Sequence, residues 1–165
     1  MNYENKPWLL SYMPGVPVDM NFMDMCIPDF LERSARDFPK TMALNFMGYT
    51  LSFRKLKNMV DRFAACLSDF GIKKGDSVAI LLPNTIQCVA AYYAILKIGG
   101  IAVMNNPLYS DKELLHQFND SGAKVLVTID LLADRMIDLR PKTAIKQIVV
   151  ASIGDYLPFP KSLLF

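Results

Sequence analysis

Between Ser77 and Ala151, short apolar runs alternate with helix-patterned segments, joined by connections of a few residues. Ser77 to Leu82, Ile101 to Met104, Val125 to Ile129 and Gln147 to Ala151 have strand length, and the first three are apolar at nearly every position. A strand that is apolar on both faces cannot turn one of them to water. Separated by helices, such strands pair in parallel, are covered on both sides, and connect by right-handed crossovers. The sequence therefore predicts an α/β fold: a doubly wound, largely parallel sheet with flanking helices, in which Ile101 to Met104 is a second buried strand.

The intervening segments carry helix punctuation. Thr85 to Ile98 is helical in length and composition and ends at Gly99-Gly100. Ser110 with Glu113 forms a capping box ahead of Leu114, Leu115 and Phe118, and Gly122 closes that helix. Leu131 to Leu139 is a further helix stopped by Pro141. Upstream, Ser52 caps a long helix whose apolar positions Phe53, Leu56, Met59, Val60, Phe63, Leu67 and Phe70 follow the helical period and form a core face, with Gly71 as its left-handed end. Met42 to Met47 and Tyr49 to Leu51 flank Gly48 as a hairpin. A short helix starts at Pro28, repeats through Phe30, Leu31, Ser34, Ala35 and Phe38, and ends at Pro39. Residues 1–27 hold Pro7, Pro14, Gly15 and Pro17 and form an extended arm. Trp8, Leu9, Leu10, Tyr12, Met13 and Val16 make it too apolar for a solvated tail, so it is expected to pack on its own domain or against another subunit in a homodimer. The division is thus an arm, 1–27, and an α/β unit, 28–165.

Composition removes several function classes. With 165 residues, 52% of them apolar, one domain can bury its core without metal or disulfide support. A net charge of +2 is too balanced for the row of phosphate contacts on which nucleic-acid affinity rests, so no nucleic-acid partner is expected. Cys26, Cys66 and Cys88 match no disulfide framework or zinc spacing and are read as buried thiols of a reducing cytosol. The start of the chain lacks the pattern of an export signal, and Val89 to Leu96, its longest apolar run, falls short of the about 20 residues a membrane-spanning helix needs. The apolar end, Leu163-Leu164-Phe165, looks like a polypeptide cut short inside a larger domain.

No reaction centre emerges from the residues themselves. Neither G-x-x-x-x-G-K-[ST] nor G-x-G-x-x-G occurs, and Gly99-Gly100 follows a helix instead of opening one. His116 has no second histidine with which to hold a metal and reads as a surface residue. Asp111 with Glu113, and Asp134 with Asp138 at a four-residue step, read as solvated carboxylates. The remaining candidates for ligand contact are the loops after strands, Pro83-Asn84-Thr85 and Asn105-Asn106-Pro107. A helix N-cap and an X-Pro turn account for them equally well.

A family resemblance goes further. The run Gly71-Ile72-Lys73-Lys74-Gly75-Asp76-Ser77-Val78-Ala79-Ile80-Leu81-Leu82-Pro83-Asn84, then Gly99-Gly100-Ile101-Ala102-Val103 and Asn106-Pro107, resembles the N-terminal region of the adenylate-forming superfamily: acyl-CoA synthetases, luciferases and peptide-synthetase adenylation domains. Tyr49-Thr50-Leu51-Ser52-Phe53 fits the same pattern. Pro7 to Tyr12 with Gly15-Val16-Pro17, Asn106-Pro107-Leu108-Tyr109 with Glu113 and His116-Gln117, Asp120 to Lys124, and Gly154 to Lys161 resemble bacterial long-chain-fatty-acid–CoA ligases.

That resemblance implies a two-step reaction: a long-chain fatty acid and MgATP give an acyl-adenylate and pyrophosphate, and the acyl group then passes to the thiol of coenzyme A. The family's phosphate-binding loop, metal motif, ribose-binding aspartate and lid lysine are not in these 165 residues. No catalytic, cofactor-binding or metal residue is therefore assigned to any position. ATP, Mg2+ and CoA are expected with the full-length enzyme, none is expected on this chain, and the chain alone is expected to be inactive. The resemblance further implies a cytoplasmic enzyme with peripheral contact at the inner face of the membrane. The alternatives are a stand-alone dimerisation or regulatory module of the same fold, and an adenylating ligase for a different carboxylic acid.

Overall fold

A computed structural model of the chain describes residues 6–158. The apolar tail at 163–165 lies outside the described residues. α1 (Ile27–Asp37) starts one residue before the expected Pro28, because the Asp29 carboxylate accepts the Cys26 N–H at 2.8 Å and closes the first turn. β1 (Met42–Phe46) and β2 (Tyr49–Ser52) form the antiparallel hairpin. Both central residues of its turn are left-handed, with φ of 52° at Met47 and 103° at Gly48. That geometry matches strand twist but needs a glycine at the second position. Ser52 Oγ accepts the Lys55 N–H and starts α2 (Phe53–Asp69).

Four parallel strands follow: β3 (Ser77–Leu81), β4 (Ile101–Met104), β5 (Val125–Ile129) and β6 (Gln147–Ala151). α3 (Ile86–Lys97), α4 (Asp111–Ser121) and α5 (Ala133–Leu139) link them, and the sheet order is β4-β3-β5-β6. The first crossover runs one way from β3 to β4, and the next two run the other way. Right-handed crossovers then put α3 on one face and α4 and α5 on the opposite one. The core divides accordingly. Val78, Ile80, Val125 and Val127 face Leu56, Val60, Ala91 and Ile95 of α2 and α3. Ala79, Leu81 and Leu126 face Leu114, Phe118, Met136 and Leu139 of α4 and α5. This is the doubly wound α/β sheet that the alternating apolar runs predict.

Five expectations are corrected. Among the described residues β4 is an edge strand and is not buried: Ile101 and Met104 are each 51% exposed, since β4 has a neighbour there on one side only. Phe70 is exposed because α2 ends at Asp69, so it never joins the core face, and Phe30 and Phe38 are exposed beside α1. Of the three thiols only Cys88 is buried; Cys66 is half-buried and Cys26, as the N-cap of α1, is exposed. The segment after β5 begins as a 3-10 turn, Asp130–Leu132, and Pro141 sits inside a second such turn, Arg140–Lys142, instead of ending a helix abruptly. The arm holds a 3-10 turn at Pro7–Ser11, and Leu10, Met13, Met20 and Phe22 stay exposed, so these side chains do not pack on their own domain.

Candidate functional site

β3 and β5 are neighbours, yet the chain leaves β3 on the α3 face and β5 on the α5 face. Their carboxyl ends therefore part, and open α/β sheets bind ligands in the crevice formed at such a reversal. The loop Pro83-Asn84-Thr85 lies there, where Thr85 is buried and its Oγ1 accepts the Cys88 N–H at 3.3 Å, so this residue acts as the cap of α3. Across the crevice Asp130 Oδ1 accepts the Leu131 N–H at 2.9 Å, and Oδ2 accepts the Ser152 hydroxyl at 2.8 Å. Gln87 Nε2 donates to the Ser152 carbonyl at 2.8 Å, while Gln87 Oε1 is buried without a hydrogen-bond donor.

The second sequence candidate resolves into a turn. Asn105 is 5% exposed; its N–H donates to the Ile80 carbonyl at 2.8 Å and its Nδ2 to the Val103 carbonyl at 2.7 Å, which pins the end of β4 to β3. Asn106 Oδ1 accepts the Leu108 N–H at 3.0 Å, and Arg135 Nη2 donates to the Tyr109 carbonyl at 2.6 Å. Those contacts aim α4. His116 lies exposed on α4, and Asp134 and Asp138 lie exposed on α5. Glu113 is engaged in its capping box, where hydrogen bonds from Ser110 hold its carboxyl below the usual range.

Sequence reasoning missed a trough on the α2 side of β6. It has a volume of about 390 Å³ and is walled by Met59, Phe63, Gln87, Val127, Val149 and Tyr156, with Cys66 also lining it. A second hollow of about 580 Å³ shares Met59, Arg62 and Tyr156 with it and opens toward Tyr49 and Lys55. Tyr156, on the 3-10 turn Ile153–Tyr156, meets the Tyr49 ring edge-on at 5.4 Å and donates its hydroxyl to Met59 Sδ at 3.7 Å. Burial pushes its phenol upward, Asp155 and Tyr49 add to this, and Arg62 opposes it. These walls come from positions as far apart as Met59 and Tyr156, and no short motif joins them. The trough offers apolar contact, the cationic Arg62 side chain and one orphaned acceptor. Among the described residues no three His, Cys, Asp or Glu side chains are placed to hold a metal ion.

The family described as AMP-binding enzyme matches residues 31–163. The chain is 39% identical over 160 residues to a long-chain-fatty-acid–CoA ligase of Bacillus subtilis (strain 168), covering 97% of this chain and 29% of that protein. It is 37% identical over 161 residues to one from Escherichia coli O157:H7, at 96% and 29% coverage. The chain thus spans about 29% of the length of the curated relatives it matches. Among solved structures it is similar to the anthranilate CoA ligase AuaEII in complex with anthranoyl-AMP, with a TM-score of 0.74 and 26% identity over 85% of this chain and 27% of that one.

Proposed function

The chain belongs to the AMP-binding enzyme family, and from that membership we propose that it is the N-terminal segment of an ATP-dependent long-chain fatty acid–CoA ligase. The parent enzyme converts fatty acid, ATP and CoA to acyl-CoA, AMP and pyrophosphate through an acyl-adenylate. The observation that carries this reading is the alignment with the ligases of B. subtilis and E. coli, which runs through 97% and 96% of the chain.

The segment's part is scaffold. MgATP needs backbone amides and charged groups converging on phosphate oxygens. At the crevice Thr85 already takes one amide of α3, and Asp130 already accepts from Leu131 and Ser152. Its residues do not fit a nucleotide or metal holder, so no chemical step is derived through them. ATP, Mg2+ and CoA are assigned to the remaining length of the parent, and this chain alone is inactive.

The parent works in the cytoplasm and touches the membrane peripherally. Supporting the membrane contact, Leu10, Met13 and Phe22 of the arm are exposed apolar side chains.

The test replaces the matched segment of the B. subtilis ligase with this chain and measures acyl-CoA formation from a long-chain fatty acid. A folded chimera that forms acyl-CoA supports the reading; a folded, inactive one overturns it. Pyrophosphate release by the 165 residues alone, above a no-enzyme control, overturns the scaffold assignment.

A further inference from the structure

Sulfur collects at the end of the arm. In the run Met20-Asn21-Phe22-Met23-Asp24-Met25-Cys26, three thioethers and a thiol fall within seven residues. Buried methionine fills gaps in a core, as Met136 does at 1% exposed. Met20 and Met23 fill none: both are exposed, Met25 is half-buried, and Cys26 is exposed as the N-cap of α1.

The backbone holds this run at both ends and bends it between them. Just ahead of it Lys6 Nζ pairs with Asp19 at 3.0 Å, and at its end the Cys26 N–H donates to Asp29 Oδ2 at 2.8 Å. In the middle the Met25 N–H donates to the Met23 carbonyl at 2.9 Å, a three-residue turn. No helix or strand passes through residues 20–25, so closing the run around an ion breaks no helix or sheet hydrogen bond. Met23 Sδ already faces a positive charge, since Arg33 Nη1, further along α1, donates to it at 3.6 Å. A thioether is a weak acceptor, and Arg33 also reaches Asp37 at 3.7 Å, so the guanidinium gives up Met23 at little cost.

We propose that Met20, Met23, Met25 and Cys26 form a binding site for a soft monovalent cation, Cu(I). Soft thioether and thiolate ligands favour Cu(I). Zinc takes thiolate, imidazole and carboxylate, and among the described residues no three His, Cys, Asp or Glu side chains are placed to hold it. Asp24 adds a carboxylate within the run, which suits a cation. Binding is ligand exchange without a change of oxidation state: Cu(I) leaves its carrier, and the Cys26 thiol releases its proton to water as its sulfur joins the metal. The inference goes beyond the ligase reading and does not depend on it, because it uses residues of the arm and the cap of α1 alone.

The test titrates the 165-residue chain, under ascorbate, into the coloured Cu(I)–bicinchoninate complex. The expected result is withdrawal of one Cu(I) per chain. Met20→Leu, Met23→Leu and Met25→Leu together conserve volume and apolar character, so the fold and any lipid contact of the arm survive. Affinity for Cu(I) should nonetheless fall by about tenfold or more. Cys26→Ser, which keeps a good helix cap, should weaken binding as well. A chain that withdraws no Cu(I) overturns the inference. So does full affinity in the triple variant, because a thiol then acts alone, and so does full affinity in Cys26→Ser with loss in Cys66→Ser, which moves the metal to another thiol. Displacement of Cu(I) by an equal concentration of Zn(II) overturns the choice of metal. Circular dichroism checks the fold of each variant, and Met23→Leu alone, at an exposed position, repeats the comparison where the triple variant does not fold.

Discussion

The Asp61 carboxylate on α2 accepts a hydrogen bond from Lys97 Nζ on α3 at 2.5 Å, and its other oxygen accepts one from Lys57 at 2.5 Å. Glu32 on α1 pairs with the same two lysines. Four charges thus tie α1 to α2 and α3, the two helices that cover one face of the sheet. Burial works to raise the Asp61 carboxyl, but the two lysine hydrogen bonds outweigh it and hold it below the usual range; Lys57 is pushed up mainly by its bond to Asp61.

Asp61→Asn is expected to lower stability by about 1 kcal/mol, since the cluster is about one-third exposed and solvent screens it. The pH dependence follows from the direction of the shift. A depressed carboxyl adds stability that is present above its ordinary value of about 3.9 and is lost as pH falls through its lower, folded value. Thermal melts between neutral and strongly acidic pH check it. The native chain loses stability in that acid window, and Asp61→Asn shows a shallower loss; parallel profiles contradict the assignment.

Ser110→Ala tests the start of α4. Ser110 Oγ accepts the Glu113 N–H at 3.4 Å and Glu113 Oε2 accepts the Ser110 N–H at 2.8 Å, so two end groups of the helix are satisfied reciprocally. Loss of the cap costs about 1 kcal/mol. On the same helix His116→Ala, at an exposed site, changes stability by less than about 0.5 kcal/mol. Urea melts of both variants give the comparison, and a larger loss at His116 shows that its imidazole holds a structural contact.

Phe118 is 1% exposed between α4 and the sheet. Phe118→Ala removes a whole ring from a packed layer and leaves a cavity, at a cost of about 3 to 5 kcal/mol. Phe30, at 40% exposed, is also an aromatic at a helical apolar position. Phe30→Ala costs less than about 1 kcal/mol, so denaturant midpoints separate the two sharply.

That contrast shows what the sequence made legible. β3 and β5 are apolar at nearly every position because both faces are covered, and the predicted parallel sheet rests on them. Ile101 to Met104 has the same composition but lies at an edge: an apolar run records the covering of faces and says nothing about whether a strand has one neighbour or two. Phe70 keeps the helical period of α2 one residue past its end, where Gly71 with φ of 81° has already turned the chain away. Thr85 and the Ser110–Glu113 box were readable because capping is local. The trough was not, since Gln87 reaches Ser152 across 65 positions, a contact that the sheet order creates.

The last prediction concerns the arm. Trp8 is 43% exposed and Leu10 is 94% exposed, while Lys6 pairs with Asp19 inside the arm itself at 3.0 Å. Deleting residues 1–18 therefore removes little buried apolar area, and the melting temperature of the isolated chain should move by less than the shift that about 1 kcal/mol produces, roughly 2 to 4 °C at this size. The same deletion should weaken flotation of the chain with liposomes, because it removes Leu10, Tyr12 and Met13 from the side chains offered to an interface and leaves Met20 and Phe22. With a net charge of +2, that association draws little on anionic headgroups and should persist in high salt. Pro14 and Pro17 keep the arm from forming a long amphipathic helix, so binding should also be reversible. A deletion that leaves flotation intact refutes the arm as the lipid-contacting element. One that instead lowers the mass in solution assigns the arm to a second copy of the chain.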